Sequence, residues 1–166
     1  NETDPTGFDE QVVPMHVVDG KGDVMGAVRD QLPVRKKNRD FSQKIGPGES
    51  PYTEYDTKIV THTTEWFKTE APKYADKPWC LFVSFVCPHY PLIAPQRFYD
   101  MYPVDDMPLP EPHPDRGYAR HPWVEALARC QVHDDYFTDV TRRIAIASHH
   151  GTCSFMDDNV GKVLTA

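Results

Sequence analysis

A histidine held between two prolines is the residue of this chain best placed to do chemistry. The sequence Pro88-His89-Tyr90-Pro91 follows directly on the apolar run CLFVSFV, residues 80 to 86, and Cys87. Each proline fixes one backbone dihedral, so holding the His89 imidazole at one spot costs less entropy. An imidazole can donate a hydrogen bond to an anionic oxygen or, once protonated, stabilise developing negative charge. On residue types alone two readings stand: a site residue, or a structural histidine satisfied by its neighbours.

Other clusters carry weaker chemistry. Asp157, Asp158 and Asn159 are successive, and successive residues on a helix point about 100° apart, so they do not converge on one ion. His149 and His150 meet the same difficulty and suit packing. His113, His121 and His133 are spread through a Pro-rich and polar region, with no spacing that assembles the three or four ligands zinc needs. No metal ligand is assigned. His16 is expected to pack in a loop. The cysteines Cys80, Cys87, Cys130 and Cys153 show no CxxC spacing; buried thiols are the first expectation, with a disulfide or a metal or catalytic use as alternatives. Arg35, Lys36, Lys37 and Arg39 suit a solvated loop better than a phosphate-binding patch.

The elements that position His89 follow from periodicity. The run 80 to 86 is apolar at nearly every position, which predicts a strand covered on both faces, as in a parallel sheet flanked by helices. Its carboxyl end is where ligands bind in open α/β sheets. Before it, Ser50 and Pro51 suit a helix start. From Tyr52 to about Pro72, the residues Tyr55, Ile59, Trp66 and either His62 or Thr63 make an apolar stripe, with His62 most simply on the helix surface. After it, residues 88 to 122 hold nine of the sixteen prolines, so an irregular, stiff stretch is expected, with a short helix from Pro95. Residues 137 to 166 predict a long helix with Val140, Ile144, Ala147, Phe155, Val160 and Leu164 inward and Gly151 at a close contact. The run QVVPMHVV, 11 to 18, is a doubtful strand because of Pro14. One strong and one doubtful strand are too few for a doubly covered sheet, so its completion is expected from sequence beyond this chain. The fold class expected is α/β.

The chain has 166 residues, enough for one domain, and a formal charge of -7. That charge argues against a nucleic acid or anionic membrane partner. No apolar run approaches the roughly 20 residues that span a bilayer, so no membrane helix is expected. A start at Asn1 fits a partial or processed product, which leaves the compartment open between cytoplasm and periplasm.

The longer pattern KPWCLFVSFVCPHYPLIAPQRFYDMYPVDDMPLP, 77 to 110, resembles the central segment of the sulfatase family, within the alkaline-phosphatase-like superfamily. In that family an apolar strand ends in a Pro-His-x-Pro turn, followed by an aromatic-rich segment and a Pro-Leu-Pro loop. RRIAIASHHGTCSFMDDNVGKVL, 142 to 164, is similar to a helix of the same family, and TGFDEQVVPMHVVDG and GPGESPYTEYD look like pieces of its choline-sulfatase-like branch.

The resemblance implies a three-layer α/β/α sandwich, incomplete here, and a chain that is the central portion, 1 to 166, of one catalytic domain truncated at both ends. It implies hydrolysis of a small-molecule sulfate ester by a formylglycine nucleophile with a calcium ion. By the Pro-His-x-Pro match His89 contacts the sulfate group and stabilises charge, with proton transfer to the leaving oxygen as a further option. In similar sulfatases the Pro-rich loop shapes the substrate entrance, which makes Arg116, Tyr118, Arg120, His121 and Trp123 candidates for recognising the alcohol part; a surface loop anchored by Trp123 is the simpler alternative.

The departures matter as much. None of the four cysteines is followed by x-Pro-Ser/Ala-Arg, and the family's metal segments are missing. The expectation is that formylglycine and metal ligands lie outside this chain, and that the chain alone is inactive. Two alternatives remain: a phosphodiesterase or phosphonate monoester hydrolase of the same superfamily, and a non-catalytic anion-binding module. Oligomeric state is not legible.

Overall fold

The computed structural model describes residues 7–12, 34, 39–111, 115 and 117–166. The doubtful strand from residue 13 onward, His16, the basic residues 35 to 37, His113 and Arg116 lie outside the described residues. Two compact units divide the chain: residues 1–43 with 108–142, and residues 44–107 with 143–166.

The second unit carries His89 and is built around a small parallel pair. Strand β1, Ile45–Pro47, runs beside β2, Leu92–Ala94, with Ile45 opposite Leu92, Gly46 opposite Ile93 and Pro47 opposite Ala94. Parallel neighbours need a long crossover, and helix α2, Pro51–Thr69, lies within it. Mixed helix and strand around a parallel pair is compatible with the expected α/β class.

Helix α2 begins where the sequence placed it. Ser50 is its N-cap: the Ser50 hydroxyl accepts from the Thr53 N–H at 3.2 Å and the Thr53 hydroxyl accepts from the Ser50 N–H at 2.9 Å, with Pro51 in the first turn. The buried stripe differs from the expected one. Thr53, Asp56, Ile59 and Thr63 face inward, His62 is exposed, and Trp66 instead packs at the carboxyl end of the helix against Trp79, ring centroids 4.9 Å apart. A stripe with only one aliphatic residue falls outside hydrophobic periodicity, because Thr53 and Asp56 are buried through side-chain hydrogen bonds.

Helix α5, Asp139–Leu164, confirms the long helix. Its inner face is Ala145, Ala147, Ser148, Gly151, Thr152, Phe155 and Asn159, whereas Val140 is 64% and Leu164 79% exposed, contrary to expectation. Small residues win because the helix approaches the strands closely. The Ser148 hydroxyl accepts from the Gly46 N–H at 2.8 Å, and Gly151 lies against Ala94 and the short helix α3, Gln96–Tyr99. Phe155 and Phe98 meet edge to face, centroids 5.6 Å apart, and with Cys87 form the apolar centre, flanked by Tyr52 and Met156.

The first unit, among its described residues, contains α1, Arg39–Gln43, and α4, Pro122–Gln131. Cys130 is buried there, and the His133 ring meets Phe41 and Phe137 edge on.

Candidate functional site

The apolar run before His89 does not enter the sheet. Among the described residues, 80 to 86 join no ladder and Phe82 is 74% exposed, so within this chain the run is not the strand covered on both faces that its composition predicts. A strand forms only where a neighbour accepts and donates its backbone bonds, and the described residues pair only β1 with β2. The last amide of the run and that of Cys87 after it find a different acceptor. The Asp56 carboxylate on α2, fully buried, takes the Val86 N–H on one oxygen and the Cys87 N–H on the other, each at 2.8 Å.

Past that grip the chain turns. The His89 N–H donates to the Val86 carbonyl at 2.9 Å, and the Cys87-Pro88 and Tyr90-Pro91 bonds are both cis. The His89 ring is exposed and meets Tyr52 edge to face, centroids 5.6 Å apart. Its Nδ1 lies 2.8 Å from the Tyr90 carbonyl oxygen. A carbonyl only accepts, so Nδ1 carries the proton in that bond. Nε2 is then the ring atom left for chemistry: an acceptor when the ring is neutral, a donor to an anion when it is protonated.

The groups around the turn are tuned by burial. The Cys87 thiol is held neutral, its pKa raised well above the ordinary thiol range by burial first and then by the Asp56 charge and hydrogen bond. Cys87 and Cys130 are buried thiols as expected, but Cys80 is exposed and Cys153 half-buried, and none of the four forms a disulfide. Burial also pushes the Tyr90 hydroxyl up to about 12.

The remaining candidates separate. Arg120 and His121 belong to the first unit and His89 to the second. Arg120 pairs with Glu125 at 3.7 Å. The His121 Nδ1 accepts the Trp123 N–H at 3.3 Å, which makes it the N-cap of α4. Tyr118 is 43% and Trp123 69% exposed, so Trp123 does not anchor the loop. The Asp157-Asp158-Asn159 run diverges as its spacing requires: Asp157 is exposed, Asp158 pairs with Arg97 and Lys162 at 2.7 Å each, and Asn159 is buried. His150 stacks on Tyr102, and the His149 Nε2 sits 3.8 Å from the Cys153 sulfur. Among the described residues no three His, Cys, Asp or Glu side chains are grouped to hold a metal ion.

Sequence reasoning missed Asp56 and Tyr52, the two residues that touch the His89 turn from α2. They are four residues apart, which places both on one helix face. That spacing was the available signal, hidden because an aspartate within an amphipathic pattern ordinarily marks the wet side.

No protein-family model matches the chain. Among curated proteins it is similar to the choline-sulfatase of Rhizobium meliloti (strain 1021), 29% identical over 98 residues, 53% of this chain and 17% of that protein. It is also similar to the iduronate 2-sulfatase of Mus musculus, 31% identical over 109 residues, 58% of this chain and 20% of that protein. The arylsulfatase of Clostridium perfringens (strain 13 / Type A) is 39% identical over 54 residues, 30% of this chain and 11% of that protein. The chain spans a fifth or less of the length of these three relatives.

Proposed function

We propose that this chain, by its matched relatives a segment of the sulfatase family, is the central portion of a catalytic domain that hydrolyses a small-molecule sulfate monoester. The observation that carries the reading is His89, which stands exposed in a doubly proline-braced turn with Nδ1–H spent on the Tyr90 carbonyl and Nε2 turned to chemistry. In this role Nε2–H of the imidazolium donates to a sulfate oxygen, stabilises the charge that builds as the sulfur–oxygen bond breaks, and delivers its proton to the leaving alcohol.

The wider architecture belongs to the same proposal: a three-layer sandwich in which the run 80 to 86 gains strand neighbours from flanking sequence. Arg120 and His121 are proposed to recognise the alcohol part. The parent enzyme's calcium ion and formylglycine are proposed to be supplied by residues outside 1 to 166. The residues here do not fit either group: no cysteine begins the required motif, and the described carboxylates and histidines are not grouped for a cation. The chain alone is proposed to be inactive.

The test is expression of the reading frame with its natural flanks and an assay on an aryl sulfate and an aryl phosphate. Sulfate turnover that falls about a hundredfold or more in His89→Ala supports the reading. Preference for the phosphate ester, or full activity in His89→Ala, overturns it.

A further inference from the structure

We propose that Asp56 and Tyr52 are positioning residues for His89, acting from one face of α2 on the backbone and on the ring respectively. The proposal rests on the reading of His89 as the contact to an anionic sulfate group. Asp56 reaches His89 through Val86. Its carboxylate holds the Val86 N–H at 2.8 Å, and the Val86 carbonyl in turn receives the His89 N–H at 2.9 Å. The second carboxylate oxygen holds the Cys87 N–H, also at 2.8 Å, so the two successive peptide units before the Cys87–Pro88 bond are each held at one point. Pro88 has no N–H, which makes these two amides the last donors before the histidine.

Tyr52 then acts on the ring. The Nδ1–H bond to the Tyr90 carbonyl sets the ring's rotation, and the Tyr52 edge closes one side. Tyr52 is itself steadied by the apolar centre of Cys87, Phe98 and Phe155 and by the Ser50–Thr53 capping box that brackets it. A buried carboxylate is a costly way to anchor a chain, since its desolvation penalty is several kcal/mol. Its distinguishing property is direction: a bidentate, charge-assisted grip fixes the turn far more narrowly than apolar packing does.

The test uses the full chain with ring-labelled histidine and inorganic sulfate as the probe. In the native protein the His89 ring nitrogen shifts report one neutral tautomer, protonated on Nδ1, and the Val86 and Cys87 amides exchange with solvent far more slowly than those of Leu81 to Val83. Asp56→Asn, with circular dichroism unchanged, is expected to mix the tautomers and weaken sulfate binding about tenfold. Tyr52→Leu is expected to do the same to a smaller degree, and Tyr52→Phe, which keeps the ring edge, to return both readouts towards native. A folded Asp56→Asn with native tautomer overturns the proposal. If that variant does not fold, native-state exchange and Tyr52→Leu decide: Val86 and Cys87 amides as labile as their upstream neighbours, or an unperturbed ring in Tyr52→Leu, overturn it. A tautomer that responds to Asp56→Asn in a protein that binds no sulfate keeps the positioning role and removes the sulfate reading instead.

Discussion

Gly151 of α5 lies directly on Ala94 of β2: a Cβ on the glycine would sit 2.8 Å from the alanine Cβ and 3.3 Å from backbone atoms of Phe98 and Tyr99. Backbone on the far side cannot swing away as a long side chain would. Gly151→Ala therefore forces helix and strand apart, at about 1–3 kcal/mol of overpacking, against roughly 1 kcal/mol gained in helix propensity. The expected net result is a loss of up to about 2 kcal/mol in urea unfolding. Unchanged or raised stability would show that the contact is looser than described.

Cys87 and Cys80 are expected to part in reactivity. Cys80 is exposed and Cys87 buried beside a carboxylate that discourages thiolate formation. A thiol reagent at pH 8 should label Cys80 rapidly and Cys87 only on unfolding, as read by mass spectrometry of the peptides. The linkage has a definite sign. The folded pKa of Cys87 is raised, so the unfolded thiol ionises first; the contribution is fully present below the ordinary value of 9.0 and is lost as pH rises above it. Cys87→Ala should flatten stability against pH between about 8 and 11 relative to the native chain.

Asp158 works in the opposite direction. A hydrogen bond from Lys162 first, then the charges of Lys162 and Arg97, hold its carboxyl below the usual range. A depressed carboxylate stabilises the fold above its ordinary value of 3.8 and loses that contribution as pH falls through its folded pKa. The pair is partly exposed, so the effect is small and screened by salt. Acid titration of stability should be shallower in Asp158→Asn at low ionic strength, and indistinguishable from native at about 1 M salt. A difference that persists in high salt would contradict the ion-pair origin.

The run 80 to 86, which joins no ladder among the described residues, offers a fourth test. It contains no charge, proline or glycine, and Phe82 projects from it, the composition that favours strand association between copies. Phe82→Lys should lower self-association of the chain in sedimentation velocity without changing its helical signal. An identical association curve for both proteins would exclude this segment as the contact.

The candidate site divides along a clear line between the local and the long-range. The proline brackets around His89, the Ser50-Pro51 helix start, the short helix after Pro95, the long carboxyl-terminal helix and the close contact at Gly151 were all legible, because each depends on dihedral limits or periodicity within a few residues. The sequence also made the apolar run visible, but not its state. Whether such a run becomes a strand depends on which backbone groups reach it, and here its last amide, with that of Cys87 beside it, goes to Asp56 on a helix about 30 residues away.

Tertiary structure alone decided the rest. It turned Asp56 and Tyr52 inward towards the turn and chose Ser148, Thr152 and Asn159 over Val140 and Leu164 for the buried face of α5. Periodicity weighs apolar area, whereas close approach of helix to strand selects small side chains, and the burial of Ser148 and Asp56 rests on partners far along the chain. A sequence fixes which residues can do chemistry at His89. The fold fixes where that imidazole stands, since its own bonds to Val86 and Tyr90 are local and the grip on that turn comes from Asp56 and Tyr52, brought from far along the chain.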